Sequence, residues 1–157
     1  MRVYLVHHTD ALTAEQDPRR PLSPVGREQA DRIGSRLRAL GVAPLKILHS
    51  DKLWTVQTAQ HIAARLGLEQ RAMRAPYAIN TDDPVEPFIA DVAATGGEIM
   101  MCGHVIFLQR AAARLVAGDE HRKVVEFKPG NGSTVCIERI ATDWVVTWMW
   151  RADHAPG

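Results

Sequence analysis

Apolar and polar positions change rhythm several times along the chain, and each change marks an element. Residues 2–7 form a short apolar run that reads as a buried strand. A long polar stretch rich in Asp, Pro and Arg follows, from Thr9 to Ser23. Ser23-Pro24 supplies an N-cap and a proline at the first helical position. Ala30, Ile33, Leu37 and Leu40 then recur at helical spacing, and Gly41 closes that helix. Residues 45–49 predict a second strand. Ser50 is the candidate cap of the next helix, whose buried face is Ala59, Ile62, Ala63 and Leu66 and whose stop is Gly67. Residues 70–84 predict a short strand and a loop around Pro76 and Pro84. A short helix over 86–94, a buried strand over 99–102 and a helix over 105–117 complete the middle of the chain.

Toward the end the rhythm becomes β-like. Residues 134–140 and 144–150, joined at Ala141-Thr142-Asp143, predict an antiparallel hairpin. Trp144, Trp148 and Trp150 fall at alternating positions, which predicts one shared sheet face. Strands alternating with helices, then a hairpin, predict an α/β fold: a three-layer α/β/α sandwich with a mainly parallel central sheet and a C-terminal antiparallel hairpin. A single domain over residues 1–152 is expected, with 153–157 as a loose tail.

Composition narrows the class of partner. The chain has 157 residues, 46% hydrophobic and 24% charged, with a formal net charge of +1. No global field recruits nucleic acid or an anionic membrane, so an anionic ligand must be held by local charge. The two cysteines, Cys102 and Cys136, sit in apolar runs, which argues against a disulfide framework and for a cytoplasmic setting. The apolar run near the amino terminus is too short for a signal core or a membrane span.

Candidate chemistry collects at strand ends. His7 and His8 close the first strand, His49 the second, and His104 the strand over 99–102. In a parallel sheet these ends share one edge, where imidazoles serve as nucleophiles, acids, bases or metal ligands. His7, His8, His49 and His104 would suit Zn, Fe, Cu or Ni. His7 and His8 are successive, however, and successive strand residues point to opposite faces.

Four stretches, in order, resemble the histidine phosphatase superfamily and its short, SixA-like phosphohistidine phosphatase branch. They are His7-His8-Thr9-Asp10-Ala11, the run from Arg20 to Gly26, the run from Ser50 to Ala59, and Gly103-His104. The resemblance spans nearly the whole chain. It implies that His8 attacks phosphorus and is transiently phosphorylated, while His104 hydrogen-bonds the phosphoryl oxygens. It implies no cofactor, and a small-molecule or phosphoprotein ligand, and leaves the oligomeric state open.

The chain departs from that pattern inside the pocket. His7 stands where the family has the arginine before the nucleophile, Trp54 where it has the helix arginine, and Thr9 where it has glycine. A guanidinium–phosphate hydrogen bond contributes roughly 1.5–3 kcal/mol, and phosphoryl transfer depends on such charge. Arg20, beside Arg19, remains as a cation able to face the phosphate. Lys52, two residues before Trp54, is expected to point away from it on a helix. Substrate contacts therefore fall to His7, Thr9, Arg20 and Trp54. The expected function is a phosphohistidine-phosphatase-like protein that binds a phosphorylated or anionic ligand with weak or specialised hydrolysis. The alternatives are a metal-dependent enzyme or metal-binding protein and a catalytically inert regulatory relative. Restoring arginine at positions 7 and 54 is expected to raise phosphatase activity.

Overall fold

The computed structural model describes residues 1–127 and 131–150. Six strands form one sheet in the order β3-β2-β4-β1-β5-β6. The strands are β1 (Arg2–His7), β2 (Lys46–His49), β3 (Ala72–Arg74), β4 (Ile99–Gly103), β5 (Thr134–Ile140) and β6 (Asp143–Trp150). β3, β2, β4 and β1 run parallel, while β5 is antiparallel to β1 and β6 to β5. The helices are α1 (Pro24–Ala39), α2 (Leu53–Leu66), α3 (Glu86–Thr95) and α4 (Val105–Ala117).

Strand alternation sorts the core onto two faces. Val3 and Leu5 of β1, with Ile99 and Met101 of β4, pack against Phe88 and Val92 of α3 and Phe107, Leu108 and Ala111 of α4. Tyr4 and Val6, with Ile47, Met100 and Cys102, pack against Ile33 and Leu37 of α1 and Ala59, Ile62 and Ala63 of α2. Fully burying each large apolar side chain stabilises the fold by roughly 1.5–3 kcal/mol. The expected sandwich is the observed one. α1 and α2 pack tightly: a Cβ at Gly34 would lie 2.6 Å from the Cβ of Arg65.

Local signals behave mostly as the sequence predicts. Ser23 caps α1 by accepting from the Gly26 N–H, with Pro24 leading the helix. Gly67 ends α2 in the left-handed region, at φ 71°. Three expectations are corrected. Ser50 is not the cap of α2; Lys52 is, in an extended conformation and with no side-chain cap bond. The hairpin turn is the two residues Ala141 and Thr142, with Ala141 at φ 55°. The tryptophans do not share a face. A register shift pairs Cys136 with Trp148 but Ile137 with Val146, so one extra residue switches the parity of β6. Trp148 and Trp150 pack on the α1–α2 side, while Trp144 joins the α3–α4 side. The expected tail over 153–157 lies outside the described residues.

The fold places a crevice at the carboxyl ends of β1 and β4. The chain leaves β1 toward α1 on one face and leaves β4 toward α4 on the other. Adjacent parallel strands whose connections diverge in this way open a switch point at their carboxyl edge.

Candidate active site

His8 follows β1 directly, and its backbone N–H donates to the Gly103 carbonyl at 3.0 Å. His104 follows β4 as the N-cap residue of α4. Their rings lie 5.8 Å apart, centroid to centroid, and Trp54 in the first turn of α2 completes a triangle at 6.1 Å from His8 and 6.3 Å from His104. His7 adds an edge contact to His8 at 4.5 Å. The chain therefore gathers His7, His8, Trp54 and His104. His49 stands outside this ring cluster among the described residues.

Hydrogen bonding fixes the protons on these rings. His8 Nδ1 lies 3.0 Å from the Thr9 carbonyl oxygen, which can only accept, so Nδ1 carries the proton and Nε2 keeps its lone pair. His104 is fixed through a longer chain. The Thr55 hydroxyl donates to the Lys52 carbonyl at 2.8 Å. Its oxygen is thus free to accept, both from the Ser50 N–H and from the Ser50 hydroxyl at 2.7 Å. Ser50 Oγ, its own proton spent, accepts from the Lys52 N–H and from His104 Nε2, each at 3.2 Å. His104 therefore holds its proton on Nε2, directed at Ser50, and Nδ1 is bare.

Both imidazoles stay neutral near pH 7. Burial lowers His8; the Thr9 carbonyl opposes that, and Arg20 adds to it. Burial lowers His104 to about 4, with His8 and Lys52 acting the same way. Neither ring supplies positive charge to the crevice.

Two cations do stand near. Arg20 lies with its guanidinium carbon 4.5 Å over the Trp54 ring, and its Nε donates to the Leu12 carbonyl at 3.1 Å. Lys52 borders a cleft of about 520 Å³ together with Trp54, His104, Asn80, Asp82 and Asp83. As the cap of α2, Lys52 is free of the helical angle that was expected to turn it away. Arg19 is not part of the site; it is exposed and paired with Asp17 at 2.9 Å. The amino ends of α2 and α4 reach this same edge, and first-turn N–H groups have no intrahelical partner.

Thr9 does not face the crevice. Its side chain is 0% exposed, its hydroxyl lies 3.2 Å from that of Thr58, and its backbone N–H donates to Thr58 Oγ1 at 3.1 Å. Thr9, expected among the substrate contacts, is instead turned inward, its methyl packed toward Gly132. Asp10 is also engaged, accepting from the Ser23 hydroxyl and from Asn131 Nδ2. A Cβ at Gly26 would lie 1.9 Å from the Asp10 carbonyl oxygen, so only glycine lets α1 start this close to the loop.

Sequence reasoning missed Ser50 as the partner of His104, and it missed Lys52. The Ser50 signal was present as the first residue of a matching stretch. The outer cleft wall, Asn80 to Asp83, carried no signal; it is held by Arg110 of α4, which donates to the carbonyls of Thr81 and Asp83. The four-histidine metal set is not assembled: His49 Nδ1 donates to the Ser50 carbonyl at 2.8 Å. Among the described residues, no group of three or more His, Cys, Asp or Glu is arranged to hold a metal ion. Among them, too, no helix is long and apolar enough to cross a membrane.

Comparison with known proteins agrees with this geometry. Residues 4–75 match the family model of the histidine phosphatase superfamily (branch 1). No curated protein sequence matches the chain. Among solved structures, the protein histidine phosphatase SixA complexed with tungstate aligns at 19% identity and TM-score 0.79, over 96% of this chain and 97% of that one. A protein assigned as phosphohistidine phosphatase SixA from Agrobacterium tumefaciens aligns at 20% identity and TM-score 0.73, over 99% and 98%. A mycobacterial glucosyl-3-phosphoglycerate phosphatase complexed with VO3 aligns at 18% identity and TM-score 0.66, over 96% and 99%. At these identities the structural likeness establishes the fold. The sequence match is to the histidine phosphatase superfamily (branch 1) over residues 4–75, and the whole chain has the fold of the SixA structures.

Proposed function

We propose that the protein is a phosphohistidine-phosphatase-like hydrolase in which His8 is the nucleophile and a phosphoryl group binds between His8, His104 and Arg20. One observation carries this reading. The Thr9 carbonyl commits Nδ1 as the donor, so a buried, neutral His8 keeps the Nε2 lone pair available at the crevice. Nε2 forms a bond to phosphorus, and the bond from phosphorus to the leaving group breaks, with the electron pair departing on that group. The ring becomes positively charged, and the Thr9 carbonyl, accepting from Nδ1–H, stabilises it. Water then attacks phosphorus, the P–Nε2 bond breaks, and His8 returns neutral with phosphate released.

Charge neutralisation is thinner than in a site with two pocket arginines, and it comes from Arg20, Lys52 and the amino ends of α2 and α4. Neutral His104 offers its only N–H to Ser50. It becomes a donor to a phosphoryl oxygen by taking a second proton on Nδ1, which a bound dianion favours and an empty crevice does not. Slow hydrolysis, sensitive to the protonation of the bound phosphoryl group, follows from this arrangement. The substrate class is a phosphorylated small molecule or phosphoprotein whose leaving group departs readily. Tungstate and VO3 in structures of similar fold are consistent with a phosphoryl-sized anion at this edge. The test is mass spectrometry of the intact chain after reaction with phosphoramidate. An acid-labile phosphoryl group on His8, lost in His8→Ala, supports the reading; unmodified wild-type protein sinks it.

A further inference from the structure

Trp54 stands where the resemblance places the helix arginine, and a cation of another matching stretch lies against it. Arg20 reaches the same place from the loop over residues 9–23 and lays its guanidinium on the face of the Trp54 ring. Only Nε is engaged, on the Leu12 carbonyl. Among the described residues neither Nη nitrogen has a hydrogen-bond partner, although Arg20 is half-buried. The backbone of Arg20 is held at φ 50°, a conformation that costs a side-chain-bearing residue about 1 kcal/mol or more. The surrounding loop imposes it: Leu22 N–H donates to Gln57 Oε1 at 2.7 Å, one turn along α2 from Trp54. The Arg20 backbone N–H donates to the Asp17 carbonyl at 2.9 Å.

We propose that Trp54 is a positioning residue that acts through Arg20, its indole serving as the platform that presents the free guanidinium fork to a tetrahedral oxyanion beside His8 and His104. This rests on the phosphoryl-site reading above and deepens it. An aromatic face attracts a guanidinium without competing for the anion, and stacking leaves the in-plane N–H groups free for bidentate contact. The pocket cation that remains is thus the loop arginine, with tryptophan at the helix position holding it there. The consequence reverses the expectation for restoring arginine at position 54. Trp54→Arg removes the platform and sets a like charge against Arg20, so it does not give a two-arginine pocket.

The test is calorimetric titration of the full chain with tungstate at pH 7, as a double-mutant cycle. Trp54→Leu is expected to weaken binding roughly five- to thirtyfold, and Trp54→Phe, which keeps an aromatic face, by no more than about threefold. In the Arg20→Gln background, Trp54→Leu should change nothing further. If Trp54→Leu does not fold, Trp54→Met makes the same comparison with more volume retained. Equal losses in both backgrounds overturn the inference, since Trp54 would then act on its own. A wild-type protein that does not bind tungstate overturns the phosphoryl-site reading, and this inference with it.

Discussion

The ends of β1 and β2 are built alike and stand in different surroundings. Each carries a histidine whose Nδ1 donates to the carbonyl of the next residue, His8 to Thr9 at 3.0 Å and His49 to Ser50 at 2.8 Å. In His8, which burial keeps neutral, this leaves Nε2 unprotonated. Around His8 the fold adds His104, Trp54 and the charge of Arg20, and burial drives its titration downward. Around His49 it adds no ring partner among the described residues, and the neighbouring Ser50 hydroxyl is directed to Thr55 and His104 instead. A strand-end histidine and the following carbonyl suffice to set a tautomer. Reactivity requires what the other elements bring, and in this fold they converge on β1 and β4.

The largest test removes the two histidines in turn. His8→Ala should lower turnover of phosphoramidate at least about a thousandfold, while His49→Gln should cost no more than about threefold. Comparable losses would break the distinction between the two strand ends.

The next test titrates the first of these regions. His104 falls from 6.5 to about 4 on folding, so between those values the unfolded chain binds more protons than the folded one. Stability should fall as pH drops through this window. Urea melts at pH 7 and pH 5 measure part of this loss. His104→Gln should flatten the profile.

A third test disturbs the loop that gives His8 its cation. Gly26→Ala sets a Cβ against the Asp10 carbonyl, and a backbone atom cannot swing aside as a side chain can. A loss of about 2–3 kcal/mol in chemical denaturation is expected, together with weaker tungstate binding as Arg20 shifts. Normal binding would show that the loop tolerates displacement. The smallest effect lies far from both strand ends. Ala141→Gly relieves a positive φ in the hairpin turn and should stabilise the fold by about 0.5–1 kcal/mol, read as a higher Tm. Its turnover should match wild type, which separates stability from chemistry in the other variants.

Legibility differed from residue to residue. The Pro24 helix start, the Gly67 stop and the apolar strands were readable because each depends on neighbours in sequence. His8 and His104 were readable because they stand at strand ends within matching stretches. Lys52 was misread because a single residue at a helix boundary decides whether its side chain follows the helical turn. Thr9 was misread because its hydroxyl turns to Thr58, forty-nine positions away, a choice that only packing of α2 against the loop can make. The face of Trp144 was misread because one extra residue in β6 reverses its parity, and a period of two has no memory across a bulge.

By itself the sequence determined the order of elements, the two-sided core and the placement of histidines at strand ends, because periodicity and capping act over a few residues. The tertiary structure alone decided that Ser50 fixes the proton of His104, that His49 stands apart, and that Arg20 lies on Trp54. Those outcomes depend on distances between segments far apart in the chain, and such distances exist only once the sheet and its helices have closed around the crevice.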